Sequence, residues 1–122
     1  MKNSFFIFLL AALLTSPVLA GECKNGTIFK ANNGNVYCKS NELMNWNGAS
    51  VWCAEQKMAL VSWEELCPGS YFAKNCGNLK GTGENSVWTS TKYDGNRAFR
   101  INLSCGCTDR NTFPKKHYAI CK

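Results

Sequence analysis

Apolar residues first gather in one unbroken run, Phe5 to Leu14, and then thin into short segments for the rest of the chain. The run follows Lys2 and stops at Ser16-Pro17, and Val18 and Ala20 are small residues suited to a signal-peptidase site. It is too short to span a bilayer comfortably. Residues 1–20 therefore read as a secretory signal peptide cut after Ala20. Glu22 stands between Leu19-Ala20-Gly21 and Cys23, which puts a lipidation box one residue out of register.

Past the signal the apolar positions change period. Thr27–Phe29 and Val36–Cys38 flank Ala31-Asn32-Asn33-Gly34-Asn35 and predict a β-hairpin. Ala49, Trp52, Cys53 and Gln56 recur at helical spacing after Asn45 or Asn47, either of which can cap a helix. Met58–Val61 reads as extended. Ser62-Trp63-Glu64-Glu65 is a capping box that opens a short helix, stopped by Pro68-Gly69. Gly69–Glu84 has four glycines and no period, which predicts a long loop. Val87–Thr91 and the alternating Ala98–Leu103 predict strands joined by a turn at Tyr93–Asn96. Ser104–Lys116 reads as a second loop and Tyr118–Cys121 as a last short strand. This order predicts an α+β domain over residues 21–122, with two short helices flanking a small twisted antiparallel sheet. Trp52, Trp63 and Trp88 are expected to pack into it.

Composition sharpens the picture in two ways. The 102 residues after Ala20 are roughly 40% apolar, enough for one core of modest size. Setting Lys2 aside, 13 basic residues face 8 acidic ones, a net +5. The cations are scattered, only Lys115-Lys116 adjoin, and no aromatic-basic repeat occurs, so nucleic acid is not an expected partner. A basic surface attracts anionic partners such as acidic polysaccharide or phospholipid.

Eight cysteines, Cys23, Cys38, Cys53, Cys67, Cys76, Cys105, Cys107 and Cys121, are separated by 14, 14, 13, 8, 28, 1 and 13 residues. No C-x-x-C occurs and His117 is the only imidazole, so neither a zinc site nor a haem attachment is expected. In an exported chain the pattern is a disulfide framework. A bridge between Cys105 and Cys107 is expected to be disfavoured by their closeness. They are expected to pair with Cys67 and Cys76, in an order the sequence leaves open. Cys23 and Cys38 bracket the first hairpin, and Cys53 and Cys121 then remain for each other.

Asn45-Trp46-Asn47-Gly48-Ala49-Ser50-Val51-Trp52-Cys53, followed by Leu60-Val61-Ser62, resembles the first helix and following segment of C-type lectin-like domains. Tyr118-Ala119-Ile120-Cys121-Lys122 is similar to that family's last strand. Val87-Trp88-Thr89-Ser90-Thr91, Gly95 and Ala98–Leu103 resemble small bacterial secreted members. The resemblance implies the C-type lectin-like fold, a Cys53–Cys121 bridge from helix to last strand, and Cys23–Cys38 as the extra bridge of the long form. It also implies lectin-type carbohydrate binding, but the calcium motifs of sugar-binding members, Glu-Pro-Asn or Gln-Pro-Asp with Trp-Asn-Asp, are absent. Pro68 lies between Cys67 and Gly69, Lys115 follows Pro114, and Gly69–Gly83 holds no carboxylate. Calcium takes six to eight oxygens, so no metal and no cofactor are expected.

No catalytic set is expected either. His117 reads as an exposed strand-end residue, and an even cysteine count leaves no free thiol. The two expected loops carry the binding candidates: Tyr71, Lys74 and Asn75 in the first, Asp109, Arg110 and Asn111 in the second. The chain thus reads as a secreted or periplasmic, calcium-independent binding module for a protein, glycan or surface component, without membrane insertion once the signal is cut. A structural accessory subunit of an exported assembly and a cationic antimicrobial or inhibitor protein are the alternatives. The sequons Asn25-Gly26-Thr27 and Asn102-Leu103-Ser104 matter only in a host that glycosylates.

Overall fold

The computed structural model describes residues 23–70 and 75–122, so the expected signal peptide lies outside it. Eight elements follow in order: β1 Gly26–Lys30, β2 Val36–Met44, α1 Trp46–Glu55, α2 Trp63–Leu66, β3 Ser86–Lys92, β4 Arg97–Asn102, β5 Thr108–Thr112 and β6 His117–Cys121. The domain is α+β, as expected, but its sheet is larger than the sequence suggests. It has six strands in the order β1-β2-β6-β3-β4-β5, all antiparallel to their neighbours except β3 and β6, which run parallel at Val87 and Tyr118.

The additional strand is β5, in the stretch read as a loop. Its sequence, TDRNT, has no apolar alternation because it lies at the sheet edge and pairs only with β4. The first hairpin turns as predicted, with Gly34 in the left-handed region at φ 91° and its amide donating to Ala31 O. Asn45 caps α1 by accepting from the Gly48 amide at 2.7 Å. Ser62 caps α2 by accepting from the Glu65 amide at 3.2 Å. The Glu65 carboxylate meets Lys122 Nζ at 3.1 Å, so it forms an ion pair where the capping box predicts a return bond to the backbone.

Alternation sorts the core onto the two faces of the sheet. Trp88, Ala98, Ala119 and Cys121 face α1, where Ala49 and Cys53 meet them. Val87, Phe99, Ile101 and Ile120 face the other way, against Trp63, Leu66, Leu79 and Leu103. Burial follows expectation for Trp63 and Trp88, whose indole N–H groups donate to Thr108 Oγ1 and Met44 O. Trp52 departs from it and is only half-buried.

Past Val87 and Tyr118, β3 and β6 splay apart, and the extended segment around Leu60 fills the gap. The Val61 amide donates to Ile120 O, the Lys122 and Ala59 amides donate to each other's carbonyls, and the Ser90 amide donates to Val61 O. On the other side of β6 the register with β2 shifts between Lys39 and Leu43. The Ser40 hydroxyl repairs that bulge by accepting from the Ala119 amide at 2.9 Å and donating to Glu42 O at 2.8 Å.

Four disulfides brace the fold: Cys23–Cys38, Cys53–Cys121, Cys67–Cys76 and Cys105–Cys107. The first two match the expected pairs. The last two correct the expectation, since each closes its own loop. The loops are still joined, but by backbone: the Cys76 amide donates to Gly106 O, Gly81 to Ser104 O and Thr82 to Leu103 O. Gly106 sits at φ 72° with its Cα so near Cys76 O that a Cβ would collide with the backbone. A covalent cross-link between the loops is unnecessary where three amides already tie them. Four disulfides suit an oxidising compartment outside the cytoplasm. Among the described residues no helix is long and apolar enough to cross a membrane.

Two outcomes follow from this bracing. Cys105 and Cys107 are half-exposed and span the shortest loop, whereas the other six cysteines are buried. Graded reduction with alkylation and mass mapping should label Cys105 and Cys107 first, because that bridge is most accessible and constrains the unfolded chain least. Gly106→Ala should cost about 1–3 kcal/mol in urea titrations, since it adds strain at positive φ to a backbone clash. Gly95→Ala, which meets nothing within 4 Å, should stay within about 0.5 kcal/mol of wild type.

Candidate functional site

Of the six binding candidates, Tyr71 and Lys74 lie outside the described residues. Asn75 is exposed beside Cys76, near the start of β5 through the Cys76–Gly106 contact. Asp109, Arg110 and Asn111 are consecutive in β5, opposite Arg100, Phe99 and Ala98. A strand sends neighbours to opposite faces. Asp109 and Asn111 therefore point to the α1 side and Arg110 to the other, so these three do not form one site.

On the α1 side the polar groups are occupied with one another. Arg100 donates from Nη1 to Ser86 Oγ at 2.8 Å and from Nη2 to Asp109 Oδ2 at 3.3 Å, while its buried Nε makes no hydrogen bond. His117 Nε2 meets Asn111 Oδ1 at 2.7 Å, and its ring stands edge-on to Trp88 with centroids 4.7 Å apart. His117 is thus half-buried and partnered, which corrects the exposed strand end expected for it. Burial, helped by Arg100 and Lys115, lowers its pKa to about 4. The imidazole is neutral at physiological pH and bonds to an amide, with neither serine nor carboxylate as its partner. Chemically this cluster clamps β3, β4, β5 and β6 together. No proton-transfer relay follows from it.

The other side of β4 and β5 is built differently. Arg110 places its guanidinium 4.2 Å from the Tyr93 ring centroid, and Arg97 lies 4.7 Å from the same ring. Tyr93 is 44% exposed and stands edge-on to Phe99. Arg97 is held by Asp94, through Nη2 at 2.6 Å and Nε at 2.9 Å, and those bonds push the Asp94 carboxyl below its usual range. Arg110 is exposed and makes no ion pair among the described residues.

The β5–β6 turn adds charge to the same end. The Phe113 amide donates to Asn96 O, and the Phe113 ring stacks on Trp46 at 4.5 Å. Lys92 lies 5.3 Å above Trp46, and Lys115 and Lys116 follow in the turn. Cations far apart in sequence, Lys92, Arg97, Arg110, Lys115 and Lys116, thus lie toward one end of the sheet, where the β3–β4 and β5–β6 turns adjoin. Of these only Arg110 was legible as a candidate. Tyr93 and Arg97 flank a turn, and no local pattern reveals that β5 will fold beside them. Among the described residues no group of three or more His, Cys, Asp or Glu is placed to hold a metal ion.

No protein-family model matches the chain, and no curated protein matches its sequence.

The clamp has a pH signature. A folded pKa of about 4 lies below the ordinary 6.5, so the unfolded chain binds the proton first. Stability from His117 is complete above about pH 6.5 and is lost as pH falls toward 4. Discounted for partial solvent exposure, the loss is about 1–2 kcal/mol. Urea midpoints across that window should fall less steeply for His117→Gln than for wild type.

Proposed function

We propose that this chain is a secreted or periplasmic binding module of the C-type lectin-like kind, and that it engages acidic glycan without calcium at the Arg110–Tyr93 end of the sheet. One observation carries the reading. Arg110 is exposed, without an ion pair among the described residues, and laid over an exposed tyrosine ring. A guanidinium held against an aromatic face loses less entropy on binding and keeps its fork of donors for carboxylate or sulfate. Lys92, Lys115 and Lys116 add long-range attraction for a polymer of the same sign.

The fold supports the first half of the proposal in specific ways. Cys53–Cys121 ties the first helix to the last strand, and Cys23–Cys38 closes the N-terminal hairpin, which are the pairs the family resemblance implies. The calcium motifs of the sugar-binding members are absent from the sequence. Their role of steadying the loops falls here to Cys67–Cys76, Cys105–Cys107 and the backbone bonds between them.

Calorimetry against a sulfated or uronate-rich polysaccharide tests the function. Binding should persist in EDTA, weaken steadily with added salt, and drop about tenfold in Arg110→Ala, the loss of one charge-assisted contact. Neutral glucan should not bind at the same concentration. Loss of binding in EDTA, or an Arg110→Ala variant that binds like wild type, would overturn the assignment.

A further inference from the structure

At the opposite edge of the sheet a cleft of about 410 Å³ opens between the start of β1, the bulge of β2 and α1. Asn25, Ser40, Asn41, Glu42, Met44 and Trp52 line it. Its walls are built with care. Gly26 has no side chain where a Cβ would approach Lys39 O to 2.7 Å and Trp52 Cη2 to 3.0 Å, so β1 lies close against the indole. Cys23–Cys38 anchors the strand entry, and Asn25 turns it at φ 59°. The bulge presents Asn41 and Glu42, and the doubly bonded Ser40 hydroxyl holds its base. Thr27 Oγ1 donates to Asn41 Oδ1 at 2.6 Å, which fixes that amide.

The chemistry of the lining selects a ligand. This is a chain of net charge +6, yet the cleft contains no Lys, Arg or His. Its one charge is the Glu42 carboxylate, which is exposed and makes no ion pair among the described residues. Lys39, the nearest basic residue along β2, is turned to the other face, with Nζ 3.9 Å from the Tyr118 ring centroid. Met44 and Trp52, both half-buried, supply a polarizable sulfur and an indole beside that carboxylate. An aromatic wall next to an unpaired acid suits a cation with apolar substituents. An anion would meet Glu42 without a compensating charge, and a purely apolar group would leave the carboxylate unused.

We propose that this cleft binds an alkylammonium group, the nitrogen toward Glu42 and its methyl or methylene groups against Trp52 and Met44. The site is independent of Arg110. A spectroscopic probe is built in: the indole N–H groups of Trp46, Trp63 and Trp88 are each hydrogen-bonded to an oxygen, and that of Trp52 is not bonded to any described residue.

The test is a titration of the ¹⁵N-labelled protein, followed at the Trp52 indole cross-peak. Tetramethylammonium and N-acetyl-lysine methylamide form the two cationic arms, and 3,3-dimethylbutanol is the neutral control. A shift of the Trp52 peak saturating at millimolar cation supports the site. Stronger binding of tetramethylammonium assigns it to small quaternary amines, and stronger binding of the lysine derivative to protein side chains. Glu42→Gln, an exposed and nearly isosteric change, should weaken binding at least fivefold and leave the other tryptophan peaks in place. Arg110→Ala should leave cation binding unchanged, which separates this site from the glycan reading. Equal shifts with the neutral control, no shift at tens of millimolar cation, or an unaffected Glu42→Gln variant would overturn it.

Discussion

The last strand of the chain lies in the middle of the sheet, and the other elements take their places from it. β6 has β2 on one side, and on the other first β3 and then the segment around Leu60. Its Cys121 is bonded to Cys53 of α1 across a sequence separation of 68. By chain entropy alone, closing so long a loop is worth about 4 kcal/mol. The bridge therefore does more than staple a surface. It holds the helix over the two central strands and leaves the sheet edges to loops and short strands, whose side chains are less committed to packing.

This division of labour explains why the chemistry is found at the periphery. In the centre Trp88, Ala119, Ile120 and Cys121 are fully buried. Polar groups there are consumed in register-keeping, as with Ser40 across the bulge and His117 with Asn111. At the β5 edge, Arg97 of β4 and Arg110 of β5 converge on the Tyr93 ring. At the β1–β2 edge a bulge pushes Asn41 and Glu42 outward beside Trp52. The cleft lining holds Glu42 and no cation, whereas Arg97 and Arg110 meet at Tyr93, so the two sites suit ligands of opposite charge.

Local signals located most of the regular elements. The turn at Ala31–Asn35, a helix cap at Asn45 or Asn47, the capping serine at Ser62 and the alternation from Ala98 each depend on neighbours a few residues away, and each element formed there, with Asn45 as the cap. The misses have a common cause. β5 is polar throughout because an edge strand is held by backbone bonds on one side, which no side-chain period reports. Cys105 and Cys107 are bonded to each other, and the two loops are joined through backbone bonds from Cys76, Gly81 and Thr82, which cysteine spacing does not report. Trp52 follows the helical spacing of a core residue, yet the strand it faces bulges at Ser40–Glu42, and a cleft stays open beside it.

By itself the sequence determined the disulfide chemistry, the helix caps, the hairpin turns and the balance of charge, because these depend on residue type and short spacing. Only the tertiary structure decided which faces those residues share. Asp109, Arg110 and Asn111 are adjacent in the chain, but the pleat separates Arg110 from the other two and delivers it to Tyr93 and Arg97. Sequence proximity sets the inventory of a strand; its pairing partner sets what each side chain meets.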